Sequence, residues 1–378
     1  MRKTTLLSLA GMLLAALLYL LTWPVPVDPV VWHPPADAGY TGAFAPNERL
    51  KGLNRISLDH DGIKEEGPEH IVIGPDGLLY TTVASGRILR MQPDGTQVQS
   101  FAETGGRVLG FDFDRAGNLI AADAERGLLS IDPNGVISVL TDHVGDSPIL
   151  LADAVIVAAD GRMYFTDAST RFGAKQWGGT FEASVLDILE QSATGRVLVY
   201  DPASKTTEIV AKGMSFANGI ALSSDGRTLF VAETGRYRIW WIDASVRDLN
   251  LSTVAAESSQ AGILLDNLPG YPDNLMRGKE GRIWVGLVKP RNPTVDGMAE
   301  KPFLRRLTLR LPRSMWPVPV PYGHVVAFLE DGTIVASLQD PTGAYPETTA
   351  VTETEDRLYI QSLHAPDLGW LPAEALRR

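Results

Sequence analysis

A turn signal followed at once by a short apolar strand recurs six times along the chain, and this repeat restricts the fold more than any other feature. The copies read PDGLLYTTV (75–83), RAGNLIAAD (115–123), ADGRMYFTD (159–167), SDGRTLFVAE (224–233), EGRIWVGL (280–287) and EDRLYIQSL (355–363). Asp and Gly accept the conformations of a tight reversal, and the apolar run that follows suits a strand. Several copies lead into a second strand of the type GRILRMQPDG, RGLLSIDPNG or GRVLVYDPAS. The stretch Phe216 to Asp243 shows three such runs in succession, broken by Ser223-Ser224-Asp225-Gly226 and by Gly235. Three strands joined by tight turns are most of a propeller blade, and blades repeat every ~40–50 residues apart from inserted loops. The expected fold is therefore all-β, a six-bladed β-propeller over residues 48–378. Abundant glycine (36) and proline (25), with almost no helical periodicity, agree with that.

Two segments precede the repeat. Arg2 and Lys3 are followed by an uncharged run from Leu6 to Trp23, LLSLAGMLLAALLYLLTW. At 1.5 Å per residue these positions reach roughly 27 Å, close to the ~30 Å apolar core of a bilayer. Signal-peptide cleavage wants small residues after such a run, but Leu21, Thr22, Trp23 and Pro24 stand there. Residues 1–23 are expected to be one uncleaved transmembrane helix, anchoring the chain in the inner (plasma) membrane with its basic N-terminus cytoplasmic. The propeller then lies on the periplasmic or extracellular side. Residues 24–47 are proline-rich and read as an extended spacer that adds nothing to the blades.

Two insertions interrupt the repeat. Arg171 to Thr194 carries Val185, Ile188 and Leu189 at helical spacing and predicts a short helix. Lys301 to Tyr322 mixes Arg305, Arg306, Arg310 and Arg313 with Phe303, Leu304, Leu307, Leu311 and Trp316. It reads as a solvated helix on the blade rims, a lid over the central channel, or a patch touching anionic lipid.

Propellers place their sites at one end of the channel, where the innermost strands converge. Glu69 in GPEHIVI, Asp153 in LADAVIVA, Asn218 in FANGIAL and Asp273 in GYPDNLMR each stand at the start of such a strand. They are hard oxygen donors, which suit calcium better than zinc. The competing reading is that they line the channel and bond to water or backbone. The absence of cysteine removes thiolate ligands and cysteine nucleophiles. A net charge of −11 argues against a nucleic-acid partner and favours a site that attracts cations. G-x-S-x-G, Walker and H-E-x-x-H motifs are missing. Of six scattered histidines, His324 is placed near the channel mouth as a catalytic candidate, whereas strand alternation turns His70 away from Glu69. Glu233 and Arg236 read as a structural pair, and Trp240 and Trp241 as blade packing.

The motifs GPEHI (67–71), YFTDASTRF (164–172), TGRVLVYDP (194–202), FANGIALS (216–223), AETGRYRI (232–239), LPGYPDNL (268–275) and LQDPTGAYP (338–346) carry a family resemblance. The chain resembles the strictosidine synthase-like branch of the gluconolactonase/paraoxonase propeller superfamily, which includes bacterial homologues and the anchored adipocyte plasma membrane-associated protein. The resemblance implies a catalytic Ca²⁺ held by Glu69, Asn218 and Asp273, with Asn274 behind them. Asp153 stands where many relatives have Asn, so three carboxylates against one Ca²⁺ would leave a net charge of −1. The paraoxonase catalytic histidine is missing from VLGFDFD, which has Leu109 and Gly110. The strictosidine synthase glutamate aligns with Thr349, while Glu347 or Glu353 lies a small slip away.

These observations lead to an expected calcium-dependent hydrolase of small-molecule esters or lactones, with Asp273 as general base or nucleophile. The alternatives are a binding or scaffolding propeller with a structural calcium, and a metal-free condensing enzyme of the strictosidine synthase kind.

Overall fold

Every one of the six turn signals closes the hairpin between the first and second strands of an antiparallel sheet. At SDGR the Gly226 N–H donates to the Ser223 carbonyl at φ +73°, a backbone conformation that favours glycine. The computed structural model, which describes residues 2–377, is a six-bladed propeller. Its innermost strands are Ile71–Ile73, Val108–Phe113, Ala152–Val157, Ala217–Leu222, Gly270–Arg277 and Thr348–Glu353, blades one to six in order.

The ring closes by exchange between the two ends of the chain. Blade six takes three strands from residues 348–372, and its outermost strand is Asn54–Ser57, paired with Asp367–Trp370. Arg55 reinforces the seam by pairing with Asp367 at 2.8 Å and lying 4.5 Å from the Tyr345 ring centroid. The apolar side chains fill the layers between blades. Val197, Val199, Val231, Trp240 and Ile242 form one such layer, and Ile239, Phe230, Leu275, Val285 and Phe328 the next. Burying a large apolar side chain contributes ~1.5–3 kcal/mol, so these layers supply most of the blade-to-blade adhesion.

Among the described residues, five α-helices lie outside the blades: α1 (Arg2–Thr22), α2 (Ala174–Trp177), α3 (Thr180–Glu190), α4 (Pro293–Asp296) and α5 (Pro302–Arg310). Within α1, the 19 residues Thr4–Thr22 have mean hydropathy 2.1 and none is buried, so the helix is long and apolar enough to cross a bilayer. The proline-rich segment after it is extended, as expected, but it does contribute to the domain. Val27 is buried against Leu109, Phe172 and Leu186, the Val30 N–H donates to the Glu190 carbonyl at 2.8 Å, and Trp32 stacks near Tyr237.

Arginines fasten this arrangement from inside. Arg305 is buried and donates to the carbonyls of Leu189 (3.0 Å), Ala299 (2.8 Å) and Val30. Arg310 donates to the carbonyls of Trp23 (2.7 Å) and Leu20 (3.0 Å) at the end of α1. Of the three readings of 301–322, lipid contact through Arg305 and Arg310 is the one these contacts oppose. The buried guanidiniums satisfy backbone carbonyls inside the protein and are turned away from any lipid headgroup.

Removing residues 1–22 should shift the melting temperature by no more than about 2 °C. Removing 1–36 uncovers Val27's pocket and strips a partner from Arg305, so the melt should fall by about 5–10 °C. Calorimetry of the two truncations checks this, and equal melting temperatures would contradict it.

Candidate active site

In five blades the innermost strand slips register against its neighbour near its start, and the candidate residues sit in those slips. They fall between Ala152 and Val155, Ala217 and Ile220, Pro272 and Leu275, Thr348 and Val351, and Val108 and Gly110. A bulge re-aims the side chain it contains, which here brings Asp153, Asn218 and Asp273 into the channel. Glu69 comes from the turn just before blade one's inner strand. Gly219 makes the convergence possible. A Cβ there would fall 2.4 Å from the Asp273 carbonyl and 2.3 Å from the Leu275 nitrogen, so only glycine lets blade four lie this close to blade five. Glu69, Asp153, Asn218 and Asp273 all line one cavity of about 540 Å³.

The cluster carries unbalanced negative charge. Burial, then the charges of Asp273 and Glu69, raises the Asp153 pKa well above the usual carboxylate range. Burial and Glu69 do the same to Asp273, while a hydrogen bond from the Asn218 amide opposes them. Burial also raises Glu69, with Arg107 acting against it. The Oδ1 atoms of Asn218 and Asn274 are buried with no donor. An unsatisfied buried acceptor costs ~1–3 kcal/mol, so two of them beside three carboxylates ask for a cation. The Asn274 amide is fixed by its Nδ2, which donates to the Glu69 carbonyl at 3.2 Å, and Thr349 Oγ1 donates to the same oxygen at 2.7 Å.

Among the described residues, no three His, Cys, Asp or Glu side chains are gathered tightly enough to hold an ion by themselves. Arg107 already engages the Glu69 carboxylate, and its guanidinium also bonds the Val83 carbonyl. With the two amide oxygens included, Glu69, Asp153, Asp273, Asn218 and Asn274 are a donor set of the hard, all-oxygen type that calcium takes. Arg107 also corrects the charge count. Three carboxylates less one guanidinium give −2, which a divalent cation cancels, whereas the count without Arg107 left −1.

The cavity wall holds a second charged group. Lys289 Nζ and His364 Nδ1 pair with opposite oxygens of Glu347, and all three residues line the cavity. Burial pushes Glu347 up, but hydrogen bonds from His364 and Lys289 outweigh it and hold the carboxyl down to about 2. The hydrogen bond to Glu347 in turn raises the His364 pKa against the effect of burial. Above the polar floor the lining turns apolar: Phe181, Val185 and Ile188 from α3, and Trp316 to Pro319 following α5.

Several expected participants lie elsewhere. His324 sits on blade five's third strand, fully buried among Tyr40, Phe44 and Tyr322, with Nε2 3.0 Å from Ser337 Oγ. Burial lowers its pKa to about 3, and it does not line the cavity, so the structure does not join it to the cluster. Glu353 pairs with Arg282 and Trp284 at the opposite end of its strand. His70 Nε2 bonds the Phe111 carbonyl at 2.9 Å, pointing away as alternation predicts. Glu233 is structural, with Arg238 and Trp240 as nearer partners than Arg236. Leu109 lines the cavity where an imidazole is missing. Arg107, Lys289 and His364 were not foreseen. Arg107 occupies blade two's version of the strand-start position, where a search for oxygen donors does not register a guanidinium. Lys289 and His364 lie at the ends of second strands, which antiparallel pairing brings beside those starts.

The bulged inner strands line the channel of a six-bladed propeller with oxygen donors. The chain belongs to the SMP-30/Gluconolactonase/LRE-like family, whose pattern matches residues 68–299, and residues 42–91 match the strictosidine synthase-like N-terminal family. It is 30% identical to the protein STRICTOSIDINE SYNTHASE-LIKE 10 of Arabidopsis thaliana over 90% of this chain and 91% of that one. It is also 30% identical to the adipocyte plasma membrane-associated protein of Salmo salar, covering 97% and 89%. Among solved structures it is similar to a gluconolactonase from Xanthomonas campestris (TM-score 0.57, 20% identity, 92% and 98% covered). The calcium-binding protein regucalcin from Agrobacterium tumefaciens has TM-score 0.56 at 14% identity, covering 84% and 93%.

An acid whose folded-state pKa is raised favours the fold most below its unfolded pKa, and that contribution is lost as pH rises through the folded value. In chelator, the melting temperature should therefore fall as pH rises above about 4, the unfolded carboxylate range. Saturating calcium should remove most of that fall at neutral pH. A pH profile of melting that is the same with and without calcium would contradict the cation site.

Proposed function

We propose that the protein is a membrane-anchored, calcium-dependent hydrolase of esters or lactones. The observation that carries this reading is the pair of donorless amide oxygens, Asn218 and Asn274, beside Asp153 and Asp273 on the floor of an apolar-roofed cavity. Glu69, Asp153, Asn218 and Asp273, with Asn274, are the residues that would hold Ca²⁺. Bound there, the ion would polarise the carbonyl oxygen of a substrate. Asp273 accepts the proton of the attacking water or attacks the carbonyl carbon itself. The apolar roof excludes bulk water and takes the hydrocarbon part of the substrate. Membership of a lactonase-like family supports the hydrolytic class.

The membrane placement rests on α1 and on the adipocyte plasma membrane-associated relative. Arg2 and Lys3 would hold its N-terminus in the cytoplasm and leave the propeller periplasmic or extracellular. Phe303, Met315, Val318 and Val320 stand exposed on the segment that Arg310 fastens to the end of α1, which suits a face beside lipid.

A non-catalytic propeller stapled by calcium is the second reading, favoured because the oxygen donors come from four blades. A condensing enzyme of the strictosidine synthase kind is disfavoured by Thr349, whose hydroxyl is committed to the Glu69 carbonyl.

Turnover of phenyl acetate and of a simple lactone by the full chain in detergent separates these. Hydrolysis should require calcium, vanish in chelator, and drop by about 100-fold or more in Asp273→Asn. Calcium binding without turnover would leave the stapled propeller standing.

A further inference from the structure

We infer that His364, held by Glu347, is the general acid that protonates the leaving oxygen in this hydrolysis, an inference that rests on the hydrolase reading above. His364 is the one histidine lining the cavity among the described residues. It follows the second strand of blade six, Arg357–Ser362, whose Ser362 pairs with Thr348 at the start of the inner strand. Its Nδ1 faces the Glu347 carboxylate, which leaves Nε2 as the ring atom available to a substrate. A carboxylate on one imidazole nitrogen fixes ring orientation and tautomer and favours the protonated ring.

Glu347 is itself held in place. Lys289 takes its other oxygen, and the residue adopts φ +52°, a left-handed conformation that non-glycine residues rarely keep without a reason. The Lys289–Glu347 pair is largely shielded from solvent, with side-chain exposures of 17% and 15%, so it is screened less than an exposed pair would be. Two further charged groups act on His364 besides Glu347. Glu69 and Glu66 add negative potential at His364, and the charge of Glu347 reaches Asp273. The base on the floor and the acid on the wall thus belong to one electrostatic unit.

The proton balance is complete. Water oxygen forms a bond to the carbonyl carbon and its proton passes to the Asp273 carboxylate. The bond from that carbon to the leaving oxygen breaks with its electron pair, and the leaving oxygen takes the Nε2 proton of His364. Solvent then carries the proton from Asp273 back to the imidazole, so ester and water become acid and alcohol with no other reactant.

General acid catalysis matters most for poor leaving groups, which gives a readout that lost packing would not imitate. For the full chain with calcium, His364→Gln should lower kcat for ethyl esters by about 100-fold, yet by only a few-fold for 4-nitrophenyl esters. Glu347→Gln should move the alkaline limb of the ethyl-ester pH profile to lower pH, because the imidazolium loses its partner. Equal losses on both esters, or no loss, would overturn the role of His364 while leaving hydrolysis intact. A parent chain that hydrolyses neither ester would instead remove the hydrolase reading, and this inference with it.

Discussion

The structure depends on a repulsion that it creates for itself. Six inner strands converge, four of them deliver oxygen atoms to one small volume, and three of those oxygens belong to carboxylates buried to within a few per cent. Charges held this close in a medium of reduced dielectric cost several kcal/mol unless something positive lies among them. Arg107 answers part of the demand from blade two by taking the Glu69 carboxylate. The remainder is two negative charges and two donorless amide oxygens, a set that a divalent cation would balance. The same convergence brings oxygen donors from blades one, three, four and five to one place, while the ring itself closes separately through Asn54–Ser57 on blade six.

Much of this was legible in the residues. The repeated turn and strand identified the blades because a tight reversal needs particular backbone conformations, and those needs show directly in Asp-Gly. The site acids were legible because they recur at one blade position. Other parts were not, and the reasons are physical. The closure of blade six by Asn54–Ser57 depends on a pairing between residues ~310 apart, which no local pattern records. Spacing alone cannot separate His324, a ring buried against Ser337, from His364 on the cavity wall. The arginines of 301–322 look like a lipid-binding cluster in sequence, yet Arg305 and Arg310 spend their donors on backbone carbonyls inside the protein. A guanidinium has five donors and no acceptor, so whether it faces lipid or carbonyls is a property of the fold and not of composition.

The face above the channel joins these threads. The proline-rich segment, α3 and α5 form one assembly over the cavity, pinned through Glu190, Arg305 and Arg310 to the end of α1. The helix long enough to cross a bilayer is therefore in direct contact with the element whose continuation roofs the site. A substrate entering under Trp316 and Phe181 passes an apolar rim before it meets the charged floor. That order of surfaces suits a molecule with a hydrocarbon portion and one polar, hydrolysable group.

The central claim is that Glu69, Asp153, Asn218 and Asp273 form a single cation site. Terbium luminescence tests it most directly, since Tyr271 in the cavity wall and Trp316 in the roof can sensitise an ion bound on the floor. The full chain should show one saturable terbium site, displaced by calcium and lost in an Asp153→Ala, Asp273→Ala double variant that still melts cooperatively. Terbium emission that calcium does not displace, or that survives in the double variant, would contradict the account.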